Sequence, residues 1–283
     1  MMLRVNPFAA LRPADDLLSI VATAAQVKAE RAEIEPLVRE DPFTILHVLR
    51  PEMDLAPEAP RKEVLAQAAQ AFAVFREHEI VMQDNVPCVY LYQLQKGDAL
   101  RTAVVLGCSF ENVEQGLLKA EARAASMQEE AIGSWVELQE ATCAQFRPVS
   151  IAHADHPGLD ALVAEVLMMS PLGEVTTPGN GVTHRLWGVP GEALAAFFEA
   201  AFAALPGGVI VDGFEELEAL LRLRQKRKAR QEEELPFFMA AFFPASQMGL
   251  GQAKHGNGGR VKLEPCAGLL TLALPAASPA LSS

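Results

Sequence analysis

The sequence has few cysteines and no long hydrophobic run. Its 283 residues include four cysteines, and none of them stands in a CxxC or finger-like spacing. This excludes a zinc finger and a disulfide framework, so we expect the cysteines to be reduced and mostly buried. No segment reaches about 18 consecutive apolar residues, so no membrane-spanning helix is predicted. The cysteines are Cys88, Cys108, Cys143 and Cys266.

The sequence also shows no internal repeats and no excess of basic charge, and we expect no export signal. Residues 1–8 do not have the charged and then apolar layout of a signal peptide, so we expect a cytoplasmic protein. The absence of a fixed repeat period excludes solenoids and propellers. Lysine and arginine total 24 against 36 for aspartate and glutamate, which gives a net charge of −12. That charge disfavours nucleic acids and anionic membranes as partners.

Helix-like and strand-like segments alternate along the chain, which predicts a mixed α/β fold with mixed sheets and flanking helices. Turn residues at 95–98 predict a hairpin. A seam near residues 150–160 separates an N-terminal α/β region (1–150) from a C-terminal α/β region (151–275), and 276–283 is predicted to be a disordered tail. The predicted helices span 15–39, 61–79, 111–128, 157–169, 193–204 and 214–234. The predicted strands span 43–49, 88–92, 101–108, 146–153, 181–189, 209–212, 235–243 and 268–274.

An apolar strand in the second region, Val209–Asp212, runs through Gly213 directly into a predicted helix. Phosphates and carboxylates bind at such turns, because the N–H groups at a helix start point at the ligand and glycine lets the backbone approach closely. Glu215 and Glu216 follow in the first helical turn. With Asp212 they could hold a divalent cation through oxygen ligands, or they could simply stabilise the positive end of the helix.

Five segments resemble, in the same order, the landmarks of a prokaryotic protein family called domain of unknown function 1015. The segment Asp41–Leu55, which reads DPFTILHVLRPEMDL, is the most specific of them. The resemblance covers residues 5–275. It implies a ParB/sulfiredoxin-like element in the second half and a link to ATP-dependent phosphorylation of free serine, with ATP and magnesium as cofactors. The other four segments are Asn6–Pro13, Pro87–Tyr92, Gly181–Trp187 and Asp212–Gly213.

The chain departs from this family at positions that such chemistry needs. The family box Asp-Gly-His-His-Arg-Tyr begins here as Asp-Gly-Phe-Glu-Glu over residues 212–216. A family Arg-His-Glu phrase corresponds to Lys119–Glu121, which keeps only the acid. Phosphoryl transfer depends on positioning and on neutralising the charge of the transferred group. Losing these cations and donors therefore removes stabilisation of the transition state.

The sequence thus predicts a pseudoenzyme, a non-catalytic protein that binds a small molecule or a nucleotide. The alternative is an active ATP-dependent kinase for a small hydroxyl-bearing metabolite, in which Asp212, Glu215 and Glu216 bind magnesium and one carboxylate accepts the hydroxyl proton. A scaffold without a ligand is a third hypothesis, and the oligomeric state is open. The candidate catalytic residues are Asp212 and Glu121, and the candidate ligand-binding residues are Gly213, His184, Arg50, Glu215 and Glu216.

Three further segments have a functional and a structural interpretation. His153–His156 contains two histidines and an aspartate, which can ligate a metal or cap the following helix. The basic run over 222–230 is a nucleic-acid footprint or a solvated helix face. We favour the structural interpretation of both. Residues 251–256 have the outer spacing of a phosphate-binding loop, but Asn257 stands where lysine is required, so we interpret them as a flexible turn.

Overall fold

A computed structural model of the chain describes residues 2–15, 17, 30–120, 128–176, 181–248 and 274–275. These residues form helices and strands that alternate along the chain, with short 3-10 helices at Pro51–Asp54 and Ala245–Met248. The α-helices are α1 (Arg31–Glu40), α2 (Leu46–Leu49), α3 (Arg61–Glu77), α4 (Glu111–Glu114), α5 (Glu129–Thr142), α6 (Pro157–Leu167), α7 (Glu192–Ala203) and α8 (Phe214–Ala229). The strands are β1 (Val5–Asn6), β2 (Leu11–Pro13), β3 (Val81–Gln83), β4 (Cys88–Lys96), β5 (Ala99–Ser109), β6 (Leu118–Ala120), β7 (Ala144–Gln145), β8 (Val149–His153), β9 (Gly173–Thr176), β10 (Thr183–Pro190), β11 (Gly208–Asp212), β12 (Phe237–Pro244) and β13 (Leu274–Pro275).

The main sheet has nine strands in the order β6-β11-β8-β12-β5-β4-β10-β9, with β1 added to β5. The pairs β11–β6 and β12–β8 are parallel, and the other neighbours are antiparallel. This confirms the predicted mixed α/β class. Strands from both sides of the predicted division at residue 150 share the sheet, and the division into two regions stays a prediction.

One face of the sheet packs against helices α6, α7 and α8. The α8 residues Leu217, Leu220 and Leu223 are buried in this core, at the spacing that places side chains on one side of a helix. Phe198 and Phe202 of α7 are completely buried beside them. Burial of this stripe fixes α8 across the sheet, and with it the helix start that follows β11.

A second core covers the opposite face of the sheet and includes Tyr90 and Phe243. A third joins α2, α3 and α5, where Phe72 and Phe75 of α3 pack with Leu138 of α5. The helices therefore form two groups, one on the sheet face and one around α3 and α5. In the part of the chain that the structure describes, no helix is both long and apolar enough to cross a bilayer.

Two predictions of local structure are wrong. Residues 46–49 form helix α2, in which the Leu49 N–H donates to the Ile45 carbonyl at 3.0 Å, and not the strand predicted over 43–49. A short apolar run that is buried on several sides has no periodicity to separate strand from helix. The helix predicted over 111–128 stops at Glu114, Gly116 takes a positive φ of +71°, and β6 follows.

Most other predicted elements are present in the described residues, whereas residues 16 and 18–29 of the helix predicted over 15–39 lie outside them. The hairpin is confirmed by the antiparallel register of β4 and β5, in which Tyr90 lies opposite Val105. Helix α5 was not predicted. Residues 268–273 of the last predicted strand, the tail over 276–283 and the loop over 251–256 lie outside the described residues. Cys88 and Cys108 are buried as predicted, Cys143 is exposed, and Cys266 is also outside the described residues.

Candidate functional site

The Asp-Gly turn between β11 and α8 depends on glycine. Gly213 has a φ of +83°, in the left-handed region, and its carbonyl accepts the first helical hydrogen bond from the Leu217 N–H at 3.0 Å. A Cβ at this position would lie 3.0 Å from the Val149 Cα and 3.4 Å from the Pro148 carbonyl oxygen. Only glycine combines this conformation with so close an approach, so the turn holds Asp212 against the start of β8.

Arg147 reaches this turn from the segment that precedes β8. Its Nη2 lies 3.4 Å from Asp212 Oδ2, and its Nη1 donates to the Glu216 carboxylate. The guanidinium carbon is 6.0 Å from the centroid of the Trp135 ring on α5. The pairing of β8 with β11, in which Ser150 lies opposite Asp212, brings these groups together. The turn therefore has a cation although its own sequence contains none.

A neighbouring side chain fixes the backbone of Arg147. The Gln145 Nε2 donates to the Arg147 carbonyl at 2.8 Å and to the Met239 carbonyl at 3.2 Å, and the Gln145 Oε1 accepts from the Met239 N–H at 2.7 Å. These bonds attach the segment to β12. The backbone of Arg147 is therefore held by the sheet, and its side chain contacts the turn.

Burial controls the electrostatics of this cluster. The side chains of Arg147 and Glu216 are 4% and 2% exposed, whereas that of Asp212 is 30% exposed. Burial raises the pKa of Glu216, Arg147 opposes that shift, and Asp212 and Glu215 add to it. Arg147 thus pairs with two carboxylates, a third acts on Glu216 from the neighbouring position in the chain, and the part of the corner that solvent reaches is negative.

The structure brings together only some of the residues that the sequence suggested. Asp212, Gly213 and Glu216 meet at the turn, and Glu215 is partly exposed beside them. His184 lies on β10, five strands from β11, which is about 24 Å along the sheet at about 4.8 Å per strand. Glu121 lies outside the described residues.

His184 and Arg50 have contacts of their own. The His184 Nδ1 is hydrogen-bonded to the Tyr92 hydroxyl at 2.6 Å, and the two rings stack with centroids 5.9 Å apart. Both side chains are buried. Arg50 lies between α2 and the 3-10 helix that follows, where its Nε donates to Glu52 Oε1 at 2.5 Å. Neither contact joins these residues to the Asp-Gly turn.

Arg147 is the residue that sequence reasoning missed. A weak signal was available, because an arginine inside the otherwise uncharged segment Ala144–Ile151 is buried only if it is paired. The sequence did not say which acid pairs with it, since the partner is 69 positions further along the chain. The sequence left open whether basic groups from elsewhere in the chain replace the missing histidines and arginine, and Arg147 brings one such group to the turn.

The segment His153–His156 has structural contacts. The His156 Nδ1 accepts from the Leu159 N–H at 3.2 Å and so caps α6. Asp155 accepts from the backbone and hydroxyl of Ser246. Burial lowers the pKa of His153, and its Nδ1 bonds the Ala154 carbonyl at 2.8 Å. These contacts support the capping interpretation.

The basic run on α8 is compensated by acids. Arg222 bonds Glu129 and Glu218, and Arg230 bonds Glu140 at 2.7 Å. Most of these partners come from α5, and the pairs are largely exposed. The run therefore joins two helices at the surface, which supports its interpretation as a solvated helix face.

Comparison with known proteins identifies the family of this chain. Residues 5–251 match the family described as Protein of unknown function (DUF1015). The chain belongs to the DUF1015 family. No curated protein and no solved structure gives a significant match to the chain. The DUF1015 description names no activity, so serine phosphorylation and a ParB/sulfiredoxin-like element stay expectations.

The turn of this DUF1015 member does not suit ATP and magnesium. Within the described ranges, no group of three or more histidine, cysteine, aspartate or glutamate side chains is arranged to hold a metal ion. Glu216 is already bonded to Arg147, and Arg147 also contacts Asp212. A triphosphate at this turn would approach the partly exposed carboxylates before it reached the buried guanidinium. The negative charges of the phosphates and the carboxylates would repel each other.

Proposed function

We propose that this DUF1015 protein is a non-catalytic cytoplasmic protein that binds a small molecule at the Asp212–Gly213 turn, with nucleotides among the candidate ligands and nucleic acids not among them. The observation that carries the proposal is the ion-pair cluster of Arg147, Asp212 and Glu216. This cluster lies at the strand-to-helix corner between β11 and α8. Its guanidinium pairs with two carboxylates of the same chain.

Catalysis of phosphoryl transfer requires positive charge that faces the transferred group. The guanidinium at this corner is 4% exposed, and a donor that cannot reach the transition state contributes nothing to the rate. Removing one well-placed donor costs about 2.7–4 kcal/mol of transition-state stabilisation. The loss of two or three such donors lowers turnover by a factor of at least about 10⁴, which supports binding without catalysis.

The corner has groups that bind a polar ligand. The partly exposed Asp212 carboxylate accepts hydrogen bonds from hydroxyl, amino or N–H groups of a small molecule. The partly exposed Glu215 adds negative charge beside it. This chemistry favours a ligand that presents donors to the turn, such as the sugar hydroxyls or the base of a nucleoside, over one that presents a bare phosphate.

The test measures binding and turnover on the same full-length protein. The protein is incubated with ATP, magnesium and free serine, and ADP and phosphoserine are quantified. Thermal unfolding is followed with nucleosides, nucleotides and amino acids, since a ligand at 100 times its Kd stabilises by about 2.7 kcal/mol. The Asp212→Asn variant removes the acceptor charge. The control is Asp98→Asn, an exposed acid in the β4–β5 turn.

We expect at least one ligand to raise the melting temperature of the wild type and of Asp98→Asn but not of Asp212→Asn, without ADP formation. Production of ADP and phosphoserine that is lost in Asp212→Asn would overturn the proposal in favour of an active kinase. A flat melting temperature with every compound would overturn it in favour of a scaffold that has no small ligand.

A further inference from the structure

The Arg147 guanidinium uses only part of its hydrogen-bonding capacity. Arginine has five N–H donors in a planar fork. Nη1 donates to Glu216, the Nη2 contact to Asp212 is long at 3.4 Å, and the buried Nε–H has no hydrogen-bond partner among the residues that the structure describes. A pair selected for stability alone is usually bidentate, and this one is not.

The Glu216 carboxylate occupies the position in which a bound anion would be stabilised. It is the third residue of α8, so it stands in the first turn of that helix, where the backbone N–H groups point at it. It therefore meets a guanidinium on one side and the positive end of a 16-residue helix on the other. Guanidinium groups and helix N-terminal amides are two of the donor types that bind free carboxylates and phosphates.

We propose that Glu216 is a built-in occupant of an oxyanion site formed by Arg147 and the first turn of α8, and that this internal carboxylate keeps free carboxylates and phosphates out of the corner. The inference rests on the proposed function, because it explains why that corner would bind a ligand through its hydroxyl or N–H groups and not through a carboxylate or phosphate. It concerns the same site and adds an autoinhibitory contact to it.

The surroundings of the pair support an internal occupant. Asp212 from β11 and Glu215 from α8 are the other charged groups that act on Glu216, and both are negative. Trp135 from α5 covers the guanidinium. Without the Glu216 carboxylate, a buried cation would keep only the long contact to Asp212, and an uncompensated buried charge strongly attracts an anion of suitable size.

Chemical rescue tests this inference. Glu216→Ala removes the carboxylate and leaves a space of matching size, and formate or orthophosphate is then added at constant ionic strength against a chloride reference. The control variant Glu215→Ala removes the same charge from the neighbouring, partly exposed residue. The double variant Arg147→Met/Glu216→Ala removes the guanidinium as well. The readout is the melting temperature, which requires neither nucleotide nor turnover.

We expect formate to raise the melting temperature of Glu216→Ala by about 3–5 °C more than chloride does, which corresponds to about a tenfold excess over the Kd. The wild type, Glu215→Ala and the double variant should show no such formate effect. An equal rise in Glu215→Ala, or a rise that survives in the double variant, would overturn the inference because net charge alone would then explain it.

A second variant covers the case in which Glu216→Ala is unfolded in buffer. Folding of that variant upon addition of formate supports the inference. If formate does not restore folding, the smaller polar variant Glu216→Ser, which also vacates the space, is titrated with orthophosphate by calorimetry, and absence of a gain of at least about tenfold in affinity over the wild type overturns the inference. Formate rescue combined with no ligand in the nucleotide screen would refute the proposed function and leave the oxyanion site intact.

Discussion

Replacing Gly213 with alanine tests whether the close approach at the turn matters. The φ of +83° is left-handed, and an L-residue there costs roughly 1–2 kcal/mol. The new Cβ would also lie 3.0 Å from the Val149 Cα, a backbone atom in the interior of the sheet that cannot move without disturbing β8. Overpacking of this kind costs about 1–3 kcal/mol, so we expect Gly213→Ala to lower the free energy of unfolding by about 2–5 kcal/mol.

Gly116 provides the matched control. Its φ of +71° is similar, but a Cβ at that position meets no atom within 4 Å. Gly116→Ala should therefore cost only the conformational part, roughly 1–2 kcal/mol. Urea unfolding of the wild type and both variants, with the same m-value for all three, gives the difference directly. Equal losses in the two variants would refute the reasoning that Val149 restricts the turn.

Three further outcomes follow from the packing and the charges. Arg147→Met leaves Glu216 buried without a cation and should lower the free energy of unfolding by about 3–5 kcal/mol in denaturant titrations. Arg147→Met/Glu216→Leu should recover most of that loss. A double variant as unstable as the single one would contradict this. Because burial raises the pKa of Glu216, the folded protein keeps this proton to higher pH than the unfolded chain does. The stability of the wild type relative to Glu216→Gln should therefore fall as the pH rises above about 4.5, and a rise would contradict it. Gly107→Ala places a methyl group against the Phe237 ring and should lower the free energy of unfolding by about 1–3 kcal/mol. A double-mutant cycle should show a smaller loss when Phe237 is also replaced by alanine.

Local patterns in the sequence predicted what depends on neighbours in the chain. The turn at 95–98 and the apolar runs that flank it predicted the β4–β5 hairpin, since a short loop leaves the two strands no other partner so near. The apolar strand, the glycine and the charged helix predicted the turn at Gly213. The strand prediction for residues 43–49 was wrong because a short apolar run contains no local information that separates helix from strand.

Tertiary structure decided which charges meet. The strand order separates His184 from Asp212 by five strands although both stand in segments that carry the family resemblance. The pairing of β8 with β11 brings Arg147 to Asp212 across 65 positions of sequence and to Glu216 across 69. Single-sequence patterns carry no signal for such contacts, since ion pairing acts through space and burial sets its strength. The sequence by itself determined a glycine turn with acids around it, and the sheet alone determined that a buried arginine neutralises part of their charge.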